Sequence, residues 1–318
     1  MTTAVLQIRP TEPDDLPGLS TLFARRFGRP FSEAEWIWKY RQLPGEGRSW
    51  VAAIGAAGTP GGEILAHAGA LRLAARWRGG EGGIWQLVDW VATERSRHLR
   101  PPLVDLGRAL LADLPAEGDA PWIFGFPSDR HFRLGQRVFG YRPLAEIVPL
   151  AGDVAAAAEG PEISWSDVAP DDSAEIWTAS GGEFGLVRSA AFLNWRYHAR
   201  PERYYRVYRP EASGARGLAV VGFADREAQM TELWLPPGVD WRTSLAGIAA
   251  DLAAAGIERW TAWPAPFGRE DLDDELAELG LAPTEERIVL GCRGRQDGPD
   301  PVESAAGFYY AMGDYDFV

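Results

Sequence analysis

The stretch IWQLVDWVATERSRHLRPPLVDLGRALLADL, Ile84 to Leu114, decides how the rest of the chain is read. Its first part, Ile84 to Val91, is apolar at nearly every position and rich in Trp and Val, the composition of a strand covered on both faces. In its last part, Leu103, Leu106, Leu110, Leu111 and Leu114 recur at three- and four-residue spacing. Pro101 and Pro102 stand where the first turn of a helix tolerates proline, so a helix is expected from about Leu103. Between the two lies Glu94-Arg95-Ser96-Arg97-His98-Leu99-Arg100, a basic island in a chain of formal charge −13. A helix that begins next to a basic loop offers unpaired N–H groups and partial positive charge to an anion.

Composition bounds the remaining choices. At 318 residues the chain is longer than one core usually supports, and two domains are expected. With 46% apolar residues, 14 Trp and 13 Phe it has the material for sizeable cores. A single cysteine, Cys292, excludes an internal disulfide, and the four histidines (His67, His98, His131, His198) show no ligand spacing, so no metal is expected. No run reaches membrane-spanning length and the N-terminus has no signal pattern, which predicts a cytoplasmic protein without a membrane partner. The acidic balance argues against nucleic acid.

Working outward, the second half repeats the first. Pro13-Asp14-Asp15 recurs as Pro170-Asp171-Asp172, and Trp38-Lys39-Tyr40 with Pro44 recurs as Trp195-Arg196-Tyr197 with Pro201, both at an offset of 157. Gln86-Leu87-Val88-Asp89 matches Gln229-Met230-Thr231-Glu232 at an offset of 143, after a shorter hairpin. A helix expected over Ser128 to Val138 stops at Gly140-Tyr141, and one over Leu272 to Leu279 stops at Gly280-Leu281, glycine on glycine at an offset of 140. A further helix is expected from Ser32, with Glu35 completing a capping box. Each half orders its elements as strand, helix, helix, three strands, helix, strand, helix, strand. A tandem duplication follows, with domains at residues 1–150 and 161–292, the weakly patterned Ala151 to Gly160 as linker, and 293–318 as a connecting segment with a docking tail.

In this element order, and in the Ile84 to Leu114 stretch, the chain resembles the GNAT acyltransferase superfamily in a tandem form. The resemblance implies an α/β fold of two tandem GNAT-like domains, each a mixed, mostly antiparallel sheet flanked by helices. It implies acetyl-CoA or another acyl-CoA as co-substrate and a small amine as acceptor. In that family the fourth strand splays from its neighbour to meet the pantetheine, and a glycine-rich loop wraps the pyrophosphate. Here Val91 stands on that strand, and Arg95, Arg97, His98 and Arg100 replace the glycines with side-chain charge, which pairs well with phosphate. The second half offers Pro236-Pro237-Gly238-Val239-Asp240 with no basic residue before Arg242, and no CoA is expected there.

The family's general base lies on or beside the fourth strand, which points to Asp89, Glu94 and, in the repeat, Glu232. Its tyrosine acid falls on Gln136 in the first half and on Leu276 in the second. Trp36 and Tyr40, on the helix that lines the acceptor side in the family, and Asp314 and Asp316, in the aromatic tail FYYAMGDYDFV, are the candidate substrate contacts. The tail is expected to dock between the domains, because a terminus this aromatic does not stay in water. The function expected is acyl-CoA-dependent N-acylation of a small amine. The alternative is a GNAT-like protein that binds a ligand without catalysis.

Overall fold

The computed structural model describes residues 5–55, 62–77, 80–94, 102–115, 119–157, 160–182, 184–212, 214–264, 274, 276–295 and 300–315. The chain divides into two units whose segments interleave. The first holds Met1–Ala74, Glu81–Arg142 and Gly291–Ser304, and the second holds Ala75–Gly80, Pro143–Leu290 and Ala305–Val318.

In the first unit, strand β1 (Val5–Pro10) leads into α1 (Leu16–Phe27) and α2 (Glu33–Arg41). The capping box expected at Ser32 is present: its side chain accepts from the Glu35 N–H and the Glu35 carboxylate accepts from the Ser32 N–H. Strands β2 (Glu46–Gly55), β3 (Glu63–Trp77) and β4 (Gly80–Ala92) follow, then α3 (Pro102–Asp113), β5 (Trp122–Gly125) and α4 (Asp129–Phe139). The sheet order is β1-β2-β3-β4-β5, with the strand Ile288–Gly294 next to β5. Its core sets Leu103, Leu106 and Leu110 of α3 against Trp85, Leu87 and the alanines Ala66, Ala68 and Ala70 of β3. Those alanines share one face at the strand period of two, and their small side chains let the leucines come close. Each buried leucine contributes roughly 1.5–3 kcal/mol.

The second unit repeats this plan with shorter pieces. Its principal strands are β6 (Leu150–Asp153), β7 (Tyr204–Tyr208), β8 (Leu218–Ala224), β9 (Glu227–Trp234) and β10 (Arg259–Ala262), in the order β6-β10-β9-β8-β7. Helix α5 (Ser173–Ala179) stands for α1, while α6 (Ala190–Leu193), continued as a π-turn over Asn194–His198, stands for α2. Helix α7 (Trp241–Ala254) is the counterpart of α3, packing Leu245, Ile248 and Leu252 on Val221, Met230 and Trp260.

Two boundaries depart from the expectation. Ala151 to Asp153 is not a linker but part of β6, paired antiparallel with β10 through Ala151↔Thr261 and Asp153↔Arg259. Conversely, the end of the strand Ile288–Gly294 joins the first unit, pairing with β5 from Gly291↔Gly125 to Gly294↔Trp122. The halves exchange their last strands, so 1–150 and 161–292 are not the structural units. The physical reason is simple: a short apolar strand fits either of two similar sheet edges, and its sequence does not say which.

Candidate active site

The fourth strand of each unit parts from the fifth at the same repeat position. In the first unit the parallel ladder between β4 and β5 ends at Leu87↔Gly125, and in the second the ladder between β9 and β10 ends at Met230↔Ala262. Leu87 and Met230 are partners at the offset of 143. Just beyond each lies the strand carboxylate, Asp89 or Glu232. The strands turn by different means. Asp89 takes a left-handed backbone, φ 55°, which Asp tolerates better than most side chains. In β9 the turn is a bulge, since Val220 pairs with Glu232 and Val221 with Met230, leaving Thr231 extra.

Asp89 is buried and fully engaged. Lys39 Nζ lies 3.0 and 3.1 Å from its two oxygens, and the Tyr40 hydroxyl donates to Oδ2 at 2.6 Å. Both donors come from α2, whose consecutive Lys39 and Tyr40 the repeat had already marked. His67, buried on β3, places Nδ1 3.0 Å from the Asp89 carbonyl and Nε2 2.9 Å from Ser49 Oγ. A carbonyl only accepts, so the proton sits on Nδ1. Ser49 Oγ also receives the Trp36 indole N–H at 3.2 Å and lies 2.8 Å from Thr11 Oγ1. The cluster is a closed set of satisfied groups that fixes the kink in β4.

Glu232 is built in the same way from different residues. Tyr197, the repeat partner of Tyr40, donates to Oε1 at 2.9 Å, and Trp234 donates to Oε2 at 3.1 Å. The cation, however, is Arg188, which meets Glu232 at 3.1 Å and Asp314 of the tail at 2.7 Å. Arg196, the partner of Lys39, instead donates to the carbonyls of Gly313 and Tyr315, both at 2.7 Å. Burial pushes the Glu232 carboxyl up to about 7, with Arg188 opposing the rise and Asp314 adding to it. For Arg188, burial works against the charge, but Asp314 and Glu232 outweigh it and raise its pKa.

The tail fills the gap that opens where β9 and β10 part. Tyr309, Tyr310, Ala311 and Met312 lie with Glu232 and Trp263 around a remnant of only 30 Å³. Tyr309 accepts the Trp234 indole N–H at 3.1 Å, Tyr310 meets the Trp263 ring edge-on at 6.2 Å, and Phe308 is wholly buried. A Cβ on Gly313 would strike the Tyr197 hydroxyl, so only glycine lets the chain pass there. Docking of the aromatic tail was expected, and its described contacts lie within the second unit. Asp314 is likewise no open substrate acid, being 2% exposed and paired with Arg188.

The remaining candidates divide. Val91 is buried on β4, and Glu94 is exposed at its end. Arg95, Arg97, His98, Arg100 and Asp316 lie outside the described residues. Trp36 and Tyr40 are core residues that also border a cavity of 240 Å³ with Arg41, Arg48 and Trp50. Gln136, at the position of the expected tyrosine, is exposed on α4, and Leu276 is buried. Arg188 and His67 were not singled out by sequence reasoning. Arg188 has no counterpart pattern in the first half, and a lone His in an apolar strand carries no spacing signal. Among the described residues no cluster of side chains is suited to hold a metal, and no helix is long and apolar enough to cross a membrane.

Paired α/β units whose fourth and fifth strands part beside a buried carboxylate, with a helix returning after the fourth strand, define the GNAT fold in tandem, and that is the fold of this chain. Solved structures agree. A tandem GNAT protein from the clavulanic acid biosynthesis pathway is 14% identical with a TM-score of 0.60, over 93% of this chain and 100% of that one. A GCN5-related N-acetyltransferase from Sphaerobacter thermophilus is 19% identical with a TM-score of 0.55, over 93% and 98%. One from Kribbella flavida is 16% identical with a TM-score of 0.60, over 91% and 72%. No family model and no curated protein matches the sequence.

Proposed function

We propose that the chain is an acyl-CoA-dependent N-acyltransferase of a small amine, with one working half, the first. The observation that carries this reading is the contrast between the two gaps. Past Leu87, β4 is followed in the sequence by the basic Arg95 to Arg100 segment and then by α3, whereas the gap beyond Met230 is filled by the chain's own tail. At α7 the Asp240 carboxylate caps the N-terminus, accepting the Thr243 N–H at 3.2 Å, and so puts negative charge where a pyrophosphate would need to be.

Acyl-CoA brings an activated thioester, and the residues of the chain have two tasks. Arg95, Arg97, His98 and Arg100, with the first N–H groups of α3, would hold the phosphates. The backbone of β4 past Leu87 would hold the pantetheine. Asp89, paired with Lys39, draws the proton of the incoming amine through the Tyr40 hydroxyl: the amine proton passes to Tyr40 Oη as the Tyr40 proton passes to Asp89. Glu94, exposed at the end of the same strand, is the second candidate base. With Gln136 in place of a tyrosine, the departing thiolate takes its proton from Tyr40 or from water.

Titration with CoA and acetyl-CoA, followed by thiol release over a panel of small amines, tests the reading. Asp89→Asn and Tyr40→Phe should keep CoA affinity and lower turnover by about 100-fold or more. A second reading, ligand binding without catalysis, is favoured by one observation: Asp89 is as completely paired as Glu232, whose gap is closed. Binding of CoA without turnover of any amine would select it, and absence of CoA binding would end the acyltransferase reading.

A further inference from the structure

We propose that the first unit carries a second ligand site, for an amphipathic organic anion, in a cavity of 510 Å³ between the last turn of α3, the end of α4 and the strand Ile288–Gly294. The volume falls within the range of small-molecule sites, which are mostly apolar with a few fixed polar groups. One wall is apolar, built by Leu111 and Leu114 of α3, Ile123 of β5, and Val138 and Phe139 of α4. The other is cationic, with Arg108, Arg293 and Arg295.

This cavity is not the acyl-CoA gap. The strands β4 and β5 run parallel and part beyond Leu87 and Gly125, at their C-terminal ends, while Ile123 and its partner Arg293 lie towards the other end of β5. Midway along α3, Gly107 is pressed against Phe139 and Trp90 so closely that a Cβ would clash with both, and this contact lies between the two sites.

Among the described residues the charges there are out of balance. Among the described residues Asp119 is the carboxylate that meets Arg295, but Arg72 already pairs with it at 2.5 Å and Trp85 donates to it at 3.0 Å. Arg295 reaches it only at 3.4 Å and is held in place by the carbonyls of Pro115 and Ala120, at 2.7 and 3.2 Å. Arg108 meets Asp105 at 3.4 Å on the exposed side of α3. Arg293 makes no ion pair with a carboxylate among the described residues, although burial lowers its pKa. Burial also lowers that of Arg295, Asp119 opposes this, and the like charge of Arg293 adds to it. A carboxylate or phosphate head on Arg293 and Arg295 would relieve this repulsion, and an apolar body would cover the leucines.

Calorimetric titration of the full chain with octanoate, with inorganic phosphate and with CoA tests the site. Octanoate should bind at one equivalent and inorganic phosphate much more weakly. Arg293→Gln should weaken octanoate by about tenfold or more, because a charge-assisted hydrogen bond is lost, and Val138→Trp, which fills the cavity, should abolish it. Neither change should alter CoA affinity, so this proposal and the acyltransferase reading fail separately. No binding of octanoate at millimolar concentration, octanoate binding that is indifferent to both substitutions, or phosphate binding as tightly as octanoate would overturn the proposal.

Discussion

The Asp89 cluster and the Glu232 cluster are the same device put to two uses. In both, a strand carboxylate just past a splayed ladder accepts a tyrosine hydroxyl from the second helix, at 2.6 Å from Tyr40 and 2.9 Å from Tyr197. The difference is the cation. Lys39, beside Tyr40 on α2, supplies the cation that pairs with Asp89, so cation and hydroxyl come from one helix. In the second, Arg196 at the matching position turns to the tail and Arg188 supplies the charge, shared between Glu232 and Asp314. One cation displaced from helix to loop thus couples the carboxylate to the C-terminus. A duplicated fold can keep its scaffold in both copies while one copy gives its cleft to the chain itself.

That comparison is sharpened first by removing the tail. Deleting residues 308–318 removes the buried Phe308, Tyr310 and Met312, each contributing roughly 1.5–3 kcal/mol on burial, and should destabilise the second unit by about 5 kcal/mol or more in urea unfolding. CoA affinity in the first unit should not change. If the truncated chain unfolds as the full one does, the tail is an ordinary terminus.

The cations come next. Arg188→Met leaves two buried carboxylates uncompensated and should cost about 3–5 kcal/mol, whereas Lys39→Met leaves only one and should cost less, roughly 2–3 kcal/mol. Equal losses would mean that Asp314 draws nothing from Arg188. A smaller effect is expected from the tyrosines. Tyr40→Phe and Tyr197→Phe each remove one hydrogen bond to a buried carboxylate, about 1–2 kcal/mol, but only Tyr40→Phe should reduce turnover. Loss of turnover in both would show that the second cleft takes part in the chemistry.

A further effect is one of pH. Burial raises the Glu232 carboxyl to about 7, so the folded chain holds that proton where the unfolded chain has lost it. The stabilising contribution is complete below the unfolded pKa and is lost as pH rises through the folded value. Stability should therefore fall by roughly 1 kcal/mol per pH unit between about 4.5 and about 7. Glu232→Gln should flatten that slope, and melting curves of the two proteins across this range would show it. A slope unchanged by the substitution would assign it to another group.

Much of the fold was legible because local chemistry repeats. Trp38-Lys39-Tyr40 and Trp195-Arg196-Tyr197 mark equivalent turns of helix, and Gln86 to Asp89 with Gln229 to Glu232 mark equivalent strand positions, so both tyrosine–carboxylate pairs could be found as residues before they were seen as contacts. The capping box at Ser32 and the leucine spacing of α3 were equally local. The strand exchange was not legible, since pairing of Gly291–Gly294 with β5 is a choice between two sheet edges of similar character. Nor was Arg188, whose partners lie 44 and 126 residues away in the chain. The tail's aromatic content announced that it would be buried, but not where. Asp314 reads as a candidate substrate contact because the arginine that meets it belongs to no motif.

The central claim is that one half binds the co-substrate and the other is closed by its own tail. Its most direct test is the stoichiometry of CoA binding to the full chain by calorimetry, repeated on Arg97→Ala with Arg100→Ala. One equivalent, weakened by about tenfold or more in the double variant, is the expected result. Two equivalents, or one equivalent at equal affinity in the double variant, would contradict the account.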